Sequence, residues 1–220
     1  MNRTFLIILM IGTAMMIAVI GQHEPATQLD TMPWEVDRLE NGSLRVFGLT
    51  LGKTSIQDAN QIFASFAETR LQVSTDSNHY QTHQLIAIYN DLNIGGLVAQ
   101  IKLNYMVDSD DLQDIDSYLK TTQAVKNSSK DLKAGIELYS VSKETEMKHL
   151  NKPVSSITYT PSIDYGLESI RQNFGLASDE KQIDEDLQLW SYPEMGLNIF
   201  ISKSMPDRFV YAPLVIQNSQ

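Results

Sequence analysis

The chain has 220 residues, no cysteine and a formal net charge of −10. Without cysteine it forms no disulfide, has no thiolate nucleophile and holds no cysteine-ligated metal. Its acidity repels phosphate backbones and disfavours nucleic acid as a partner, and its length suffices to bury a core without covalent staples.

Residues 5–20 carry no charge and are apolar all round, with Arg3 before them and Glu24 and Asp30 after. Such a run, flanked this way, reads as an uncleaved signal anchor. The expectation is a transmembrane helix within residues 1–21. The amino terminus would lie in the cytoplasm of a bacterial cell, and the rest in the periplasm. A cleaved signal peptide is the alternative, but Val19-Ile20-Gly21 lacks the small pair that cleavage prefers. A polar tether with Pro25 and Pro33 fills residues 22–33.

A first α+β unit is expected over residues 34–127. Short strands at 34–36 and 44–47 flank Asn41-Gly42, a strong hairpin cue. A strand ends at Gly52; Thr54 or Ser55 then caps a helix whose Ile56, Ala59 and Phe63 share one face. Residues 74–82 read as a polar loop. Residues 85–89 and 97–105 alternate like paired strands, with a turn from Asp91, Asn93, Gly95 and Gly96 between them. Residues 108–127 read as a helix capped by Asp108 or Ser109, with acidic residues in its first turns.

Residues 128–153 form a connector, with a strand over 134–142 and a short helix over 143–150. A second α+β unit covers 154–214: a strand at 154–159, a helix at 165–174 with Leu167, Ile170 and Phe174 on one face, strands at 187–192 and 197–202 about a turn at 193–196, and a last strand at 209–211. Residues 215–220 are a polar tail. Ile56, Ala59 and Phe63 share their spacing with Leu167, Ile170 and Phe174, while Tyr89 and Gly95 are separated as Trp190 and Gly196 are. These matches suggest an internal duplication. The expected fold class is therefore α+β: a transmembrane helix followed by two related strand–helix–hairpin units, each with its own small antiparallel sheet.

The stretch Leu49-Thr50-Leu51-Gly52-Lys53-Thr54-Ser55-Ile56 turning into a helix, with Phe174-Gly175 closing the second helix, resembles the small-lipoprotein assembly-factor module (the SmpA/OmlA-like fold). Arg45 to Gly52, Tyr192 to Leu197 and Tyr211-Ala212-Pro213-Leu214 are similar to stretches in single-anchor envelope proteins of proteobacteria. These resemblances imply a protein-contact role and no catalysis. The chain departs from the lipoprotein module in having two units and no lipid-bearing cysteine.

No catalytic, metal or cofactor signature emerges. His79 and His83 have the i, i+4 spacing of zinc helices, but they lie in a polar stretch with no glutamate between them. Asp108 to Asp116 is acidic enough to suggest calcium, yet Gln113 and Leu119 fall where an EF-hand needs glycine and glutamate. Glu144/Glu146 and Asp184/Glu185/Asp186 pair carboxylates in polar stretches, without the apolar pocket that general acid catalysis needs. The densest aromatic group is Trp190, Tyr192, Tyr159 and Tyr165, read as core with a contact surface as the alternative. The functional expectation is a non-catalytic accessory subunit, anchored beside a membrane or periplasmic protein complex and taking no cofactor. The alternative is a periplasmic binding module for an apolar or cell-wall ligand.

Overall fold

The computed structural model describes residues 28–75, 78–111 and 136–213. The chain enters through β1 (Gln28–Leu29) and then forms a three-stranded sheet from β2 (Asp37–Arg38), β3 (Leu44–Val46) and β4 (Leu49–Thr50). The β2–β3 turn follows the hairpin cue: the Asn41 side chain accepts from Ser43 N at 3.1 Å, and Gly42 takes φ +79°. Helix α1 (Ile56–Ile62) begins at Ser55. The Ser55 hydroxyl accepts from Asp58 N while the Asp58 carboxylate accepts from Ser55 N, a reciprocal box that satisfies two otherwise unpaired amides.

After α1 come β5 (Glu68–Thr75), β6 (Gln81–Ile94) and β7 (Leu97–Tyr105), then β8 (Ile136–Ser140), α2 (Lys143–His149) and β9 (Val154–Pro161). Helix α3 (Leu167–Phe174) leads into β10 (Asp179–Gln182), β11 (Leu187–Tyr192), a 3-10 turn (Pro193–Met195), β12 (Leu197–Ser202) and β13 (Arg208–Tyr211). All except β2–β4 belong to one ten-stranded sheet of order β10-β11-β12-β13-β9-β7-β6-β5-β8, with β1 added in parallel beside the end of β6.

This sheet corrects the expected fold class. The halves do not carry separate small sheets, because β9 pairs with β7 on one side and with β13 on the other and so fuses them. Three strands also went unforeseen: β1, within the expected tether, β5 and β10. The expected membrane helix is not supported either. The described helices have seven or eight residues, about 12 Å at most against a hydrocarbon core of roughly 30 Å. Among the described residues none is long and apolar enough to cross a membrane. The run at 5–20 lies outside the described residues, so the anchor, the inner-membrane single-pass topology, the periplasmic placement and the membrane-docked accessory role are withdrawn. Most of the 108–127 helix lies outside them as well. Its first turn is seen, with Asp111 N donating to Asp108 Oδ1 at 2.9 Å and Asp108 N to Asp111 Oδ2 at 3.2 Å.

The strand order has a regularity of its own. The series α1-β5-β6-β7-β9 and α3-β10-β11-β12-β13 each run helix then four antiparallel strands, and they meet at β9 and β13. Strand directions in the two series are opposed, as a two-fold axis normal to the sheet between β9 and β13 requires. The first series carries residues 106–153 as an insertion between its third and fourth strands, and β8 from that insertion extends the sheet beyond β5.

One face of the sheet is the core. Paired residues form continuous rows across it: Tyr89, Ile101, Tyr159, Phe209, Ile199 and Trp190, and beside them Ala87, Leu103, Ile157, Tyr211, Leu197 and Tyr192. All are buried. Ile56, Ala59 and Phe63 of α1, Ile170 and Phe174 of α3, and Leu44, Val46 and Leu49 of the small sheet join the same cluster. Eight rings connect edge to face or tilted from Trp34 through Phe174, Phe209 and Tyr159 to Phe47 and Tyr211, geometries that the ring quadrupole favours.

Residues 28–50 strap the two series together. Gly95 N donates to Leu29 O, and Tyr211 OH donates to Pro33 O at 2.6 Å. The Met32 side chain fills the space a Cβ on Gly95 would need, and Leu44 does the same at Gly196.

Candidate functional site

The four aromatics singled out in the sequence lie within the fold. Tyr159, Trp190 and Tyr192 are buried, and Tyr165 packs partly buried against the same cluster. Tyr159 and Tyr165 share a hydroxyl–hydroxyl hydrogen bond of 3.0 Å. The Arg171 guanidinium sits 4.7 Å from the Trp190 ring centroid and pairs with Glu180 at 3.2 Å. As placed, these rings hold the second series together and present little surface.

His79 lies in the turn before β6 at φ +64°, and His83 lies on β6 opposite Val73. Among the described residues, no group of three or more His, Asp or Glu is placed to hold a metal ion. Glu144 lies exposed in the first turn of α2, and Glu146 pairs with Lys143 at 3.0 Å. Asp184 Oδ1 accepts from the amides of Asp186 and Leu187, and Asp186 accepts from the hydroxyls of Ser202 and Ser204. These bonds tie the β10–β11 and β12–β13 turns together.

Two constellations were not legible in the sequence. The first is Asp111, His149 and Lys152. His149 is buried; its Nδ1 is 2.6 Å from Thr145 O, and its Nε2 is 3.4 Å from Asp111 Oδ1 but outside hydrogen-bonding geometry. Lys152 bridges Asp111 and Asp108. Burial raises the Asp111 carboxyl, but the Lys152 hydrogen bond and the Asp108 amide outweigh it and leave it below the usual carboxylate range. Both Asp111 oxygens face partners from within the chain, so this group locks the 108–111 turn onto the end of α2.

The second lies at one pole of the sheet, where the β6–β7, β9–α3, β10–β11 and β12–β13 connections converge. Ser162 N donates to Val98 O, Asp207 N approaches Asp164 Oδ1 at 3.4 Å, and Lys203 N donates to Asp186 O. From β7 to β10 this pole crosses five strand spacings, about 24 Å. Val98, Ile163, Leu167, Ile183 and Met205 project from it, each 42 to 56% exposed. Beneath them Asp207 is only 2% exposed. Burial pushes its carboxyl up to about 6, and the Asp164 charge adds to that, against amide hydrogen bonds from Ser202 and Tyr165.

This raised acid makes a testable signature. In the unfolded chain an aspartate titrates near its ordinary value of about 3.9. The folded protein therefore binds the extra proton between about pH 4 and pH 6, and its stability falls as pH rises through that window. Replacing Asp207 with asparagine removes that slope, which amounts to on the order of 3 kcal/mol. Urea unfolding of both proteins at several pH values measures it; parallel profiles would refute the assignment. At lower pH the sign reverses, as Asp58 and Asp186 protonate. Both are depressed by serine hydroxyls, Ser55 for the first and Ser204 and Ser202 for the second.

Compared with family models, curated proteins and solved structures, the chain matches none.

Proposed function

We propose that this chain is a binding module that docks a partner protein across the loop-built pole of its sheet. The observation that carries this reading is the gathering, at one end of the fold, of Val98 from the start of β7, Leu167 from the start of α3, and Ile163, Ile183 and Met205 from three separate connections. Scattered single apolar residues on a surface need no explanation, but several gathered at one end of a fold beside polar side chains are what protein interfaces present. The rim here is Asp164, Asp184, Glu185 and Lys203. Loops positioned by a rigid sheet are also where binding residues concentrate. The Asp164, Asp184, Asp186 and Asp207 carboxylates at the pole are engaged by amides and hydroxyls, which supports a structural role for them.

A photoactivatable crosslinker placed at Met205 in the full chain, in the cells that make it, tests this. A discrete partner is expected from Met205 and from Ile163, but not from Leu176, which is exposed in the α3–β10 connection. Ile183→Asp is expected to abolish the crosslink from Met205 without lowering the melting temperature. The same products from Leu176 and Met205 would defeat the reading.

A further inference from the structure

The other face of the sheet, adjoining that pole, carries a row that the core does not use. Arg208 on β13 pairs with Phe200 on β12, Phe200 with Leu189 on β11, and Leu189 with Lys181 on β10. Side chains alternate across a strand, so these four lie on the face opposite Phe209, Ile199, Trp190 and Glu180. Beside them on that face, Val210 pairs with Asn198 and with Thr158. Arg208, Phe200, Leu189 and Val210 are half-buried and Lys181 is exposed.

Arg208 stands apart from the other described arginines. Arg38, Arg70 and Arg171 are paired with Glu194, Glu68 and Glu180, and Arg45 donates to the Thr50 hydroxyl. Among the described residues Arg208 has no ion pair and no side-chain hydrogen bond; its guanidinium lies 5.4 Å from the Phe200 ring centroid. In a chain of net charge −10, a guanidinium held over an aromatic ring without a carboxylate is an unfilled anion partner. The stack fixes its orientation in advance, so less freedom is lost when a carboxylate pairs with it. Its sequence neighbour Asp207 is turned to the buried side, where amides of Ser202 and Tyr165 engage it. Lys181, at the far end of the row, has no ion pair among the described residues either. The nearest carboxylate in the adjacent row is Asp179, at the sheet edge.

We propose that this face takes an extended acidic segment of the docked partner, with one carboxylate on Arg208, an apolar side chain on Phe200 and Leu189, and a second carboxylate on Lys181. The proposal rests on the pole reading for the existence of a protein partner and adds its chemistry. Arg208 and Lys181 are three strand spacings apart, about 14 Å. That distance matches residues i and i+4 of an extended chain, at about 3.3 Å per residue. The side chain at i+2 then points the same way, over the apolar pair. Arginine with aromatic and aliphatic neighbours is also the composition that dominates interface energetics.

The probe is a labelled peptide with the repeat Glu-Ser-Leu-Ser-Glu, compared with its Gln-for-Glu counterpart. Anisotropy with the full-length protein at low and at high salt measures the difference. The glutamate peptide is expected to bind at least about tenfold more tightly at low salt, with the preference shrinking as salt rises. Arg208→Ala is expected to erase the preference, and Lys181→Ala to reduce it, with unchanged melting temperatures. Equal affinity for the two peptides, binding of neither, or a preference that survives Arg208→Ala overturns the proposal. An Ile163→Asp variant, in the β9–α3 connection away from Lys181, separates the two readings: it should leave the glutamate preference intact while removing the partner crosslink from Met205.

Discussion

Replacing Gly196 with alanine lowers stability by about 2–5 kcal/mol, two effects acting together. Gly196 has φ +56°, a left-handed conformation that costs an L-residue about 1–2 kcal/mol. The new methyl would also meet the Leu44 side chain and lie 2.5 Å from the backbone oxygen of Ala212. Overpacking of this kind adds about 1–3 kcal/mol, and the backbone oxygen cannot rotate away. For a chain of this size the melting temperature should fall by roughly 10 °C. Gly96→Ala is the internal control. Gly96 has φ +85° and open space where its Cβ would go, so only the conformational term remains. Equal losses at the two positions would mean that the Leu44 notch contributes nothing.

Trp190→Ala should be comparably severe. Trp190 is 1% exposed, lies in the core row between Ile199 and Glu180, and carries the Arg171 guanidinium on its ring. Removing a buried aromatic leaves a cavity and costs about 3–5 kcal/mol. Trp190→Phe keeps most of the volume and should lose much less. Chemical denaturation of the three proteins measures this. A contact role for Trp190 would instead leave stability unchanged and reduce partner capture alone.

Local features of the fold were readable from the chain where local chemistry decides them. Asn41-Gly42 makes its turn because glycine takes the positive φ there, and Ser55 opens α1 because Asp58 completes the reciprocal cap. The alternation in β7 and β12 shows because each has one face in the core and one outside it. Strand β10 was invisible for the opposite reason. Asp179, Glu180, Lys181 and Gln182 are all exposed at a sheet edge, where charged residues discourage pairing with another chain. The fusion of the halves depends on β7–β9 and β9–β13 pairing across long separations, and no short-range pattern encodes such register. The candidate surfaces share that difficulty. Val98 comes from β7 and Ile163, Ile183 and Met205 from three separate connections, and Arg208 meets Phe200 only through the β12–β13 register. The spacing of Gly95 and Gly196 was visible, but not that each leaves room for a side chain from the strap.

The strap has a consequence for how the chain is made. Pro33 and Leu44 leave the ribosome early, yet their partners, Tyr211 and Gly196, are among the last residues of the fold to be synthesised. Until those arrive, Trp34, Val46 and Leu49 have no completed core to enter, since Phe174 and Phe209 also come late. Closing such distant contacts is slow, and it leaves apolar surface uncovered meanwhile. The nascent chain therefore passes through a long interval as a client for chaperones, until the late strands arrive.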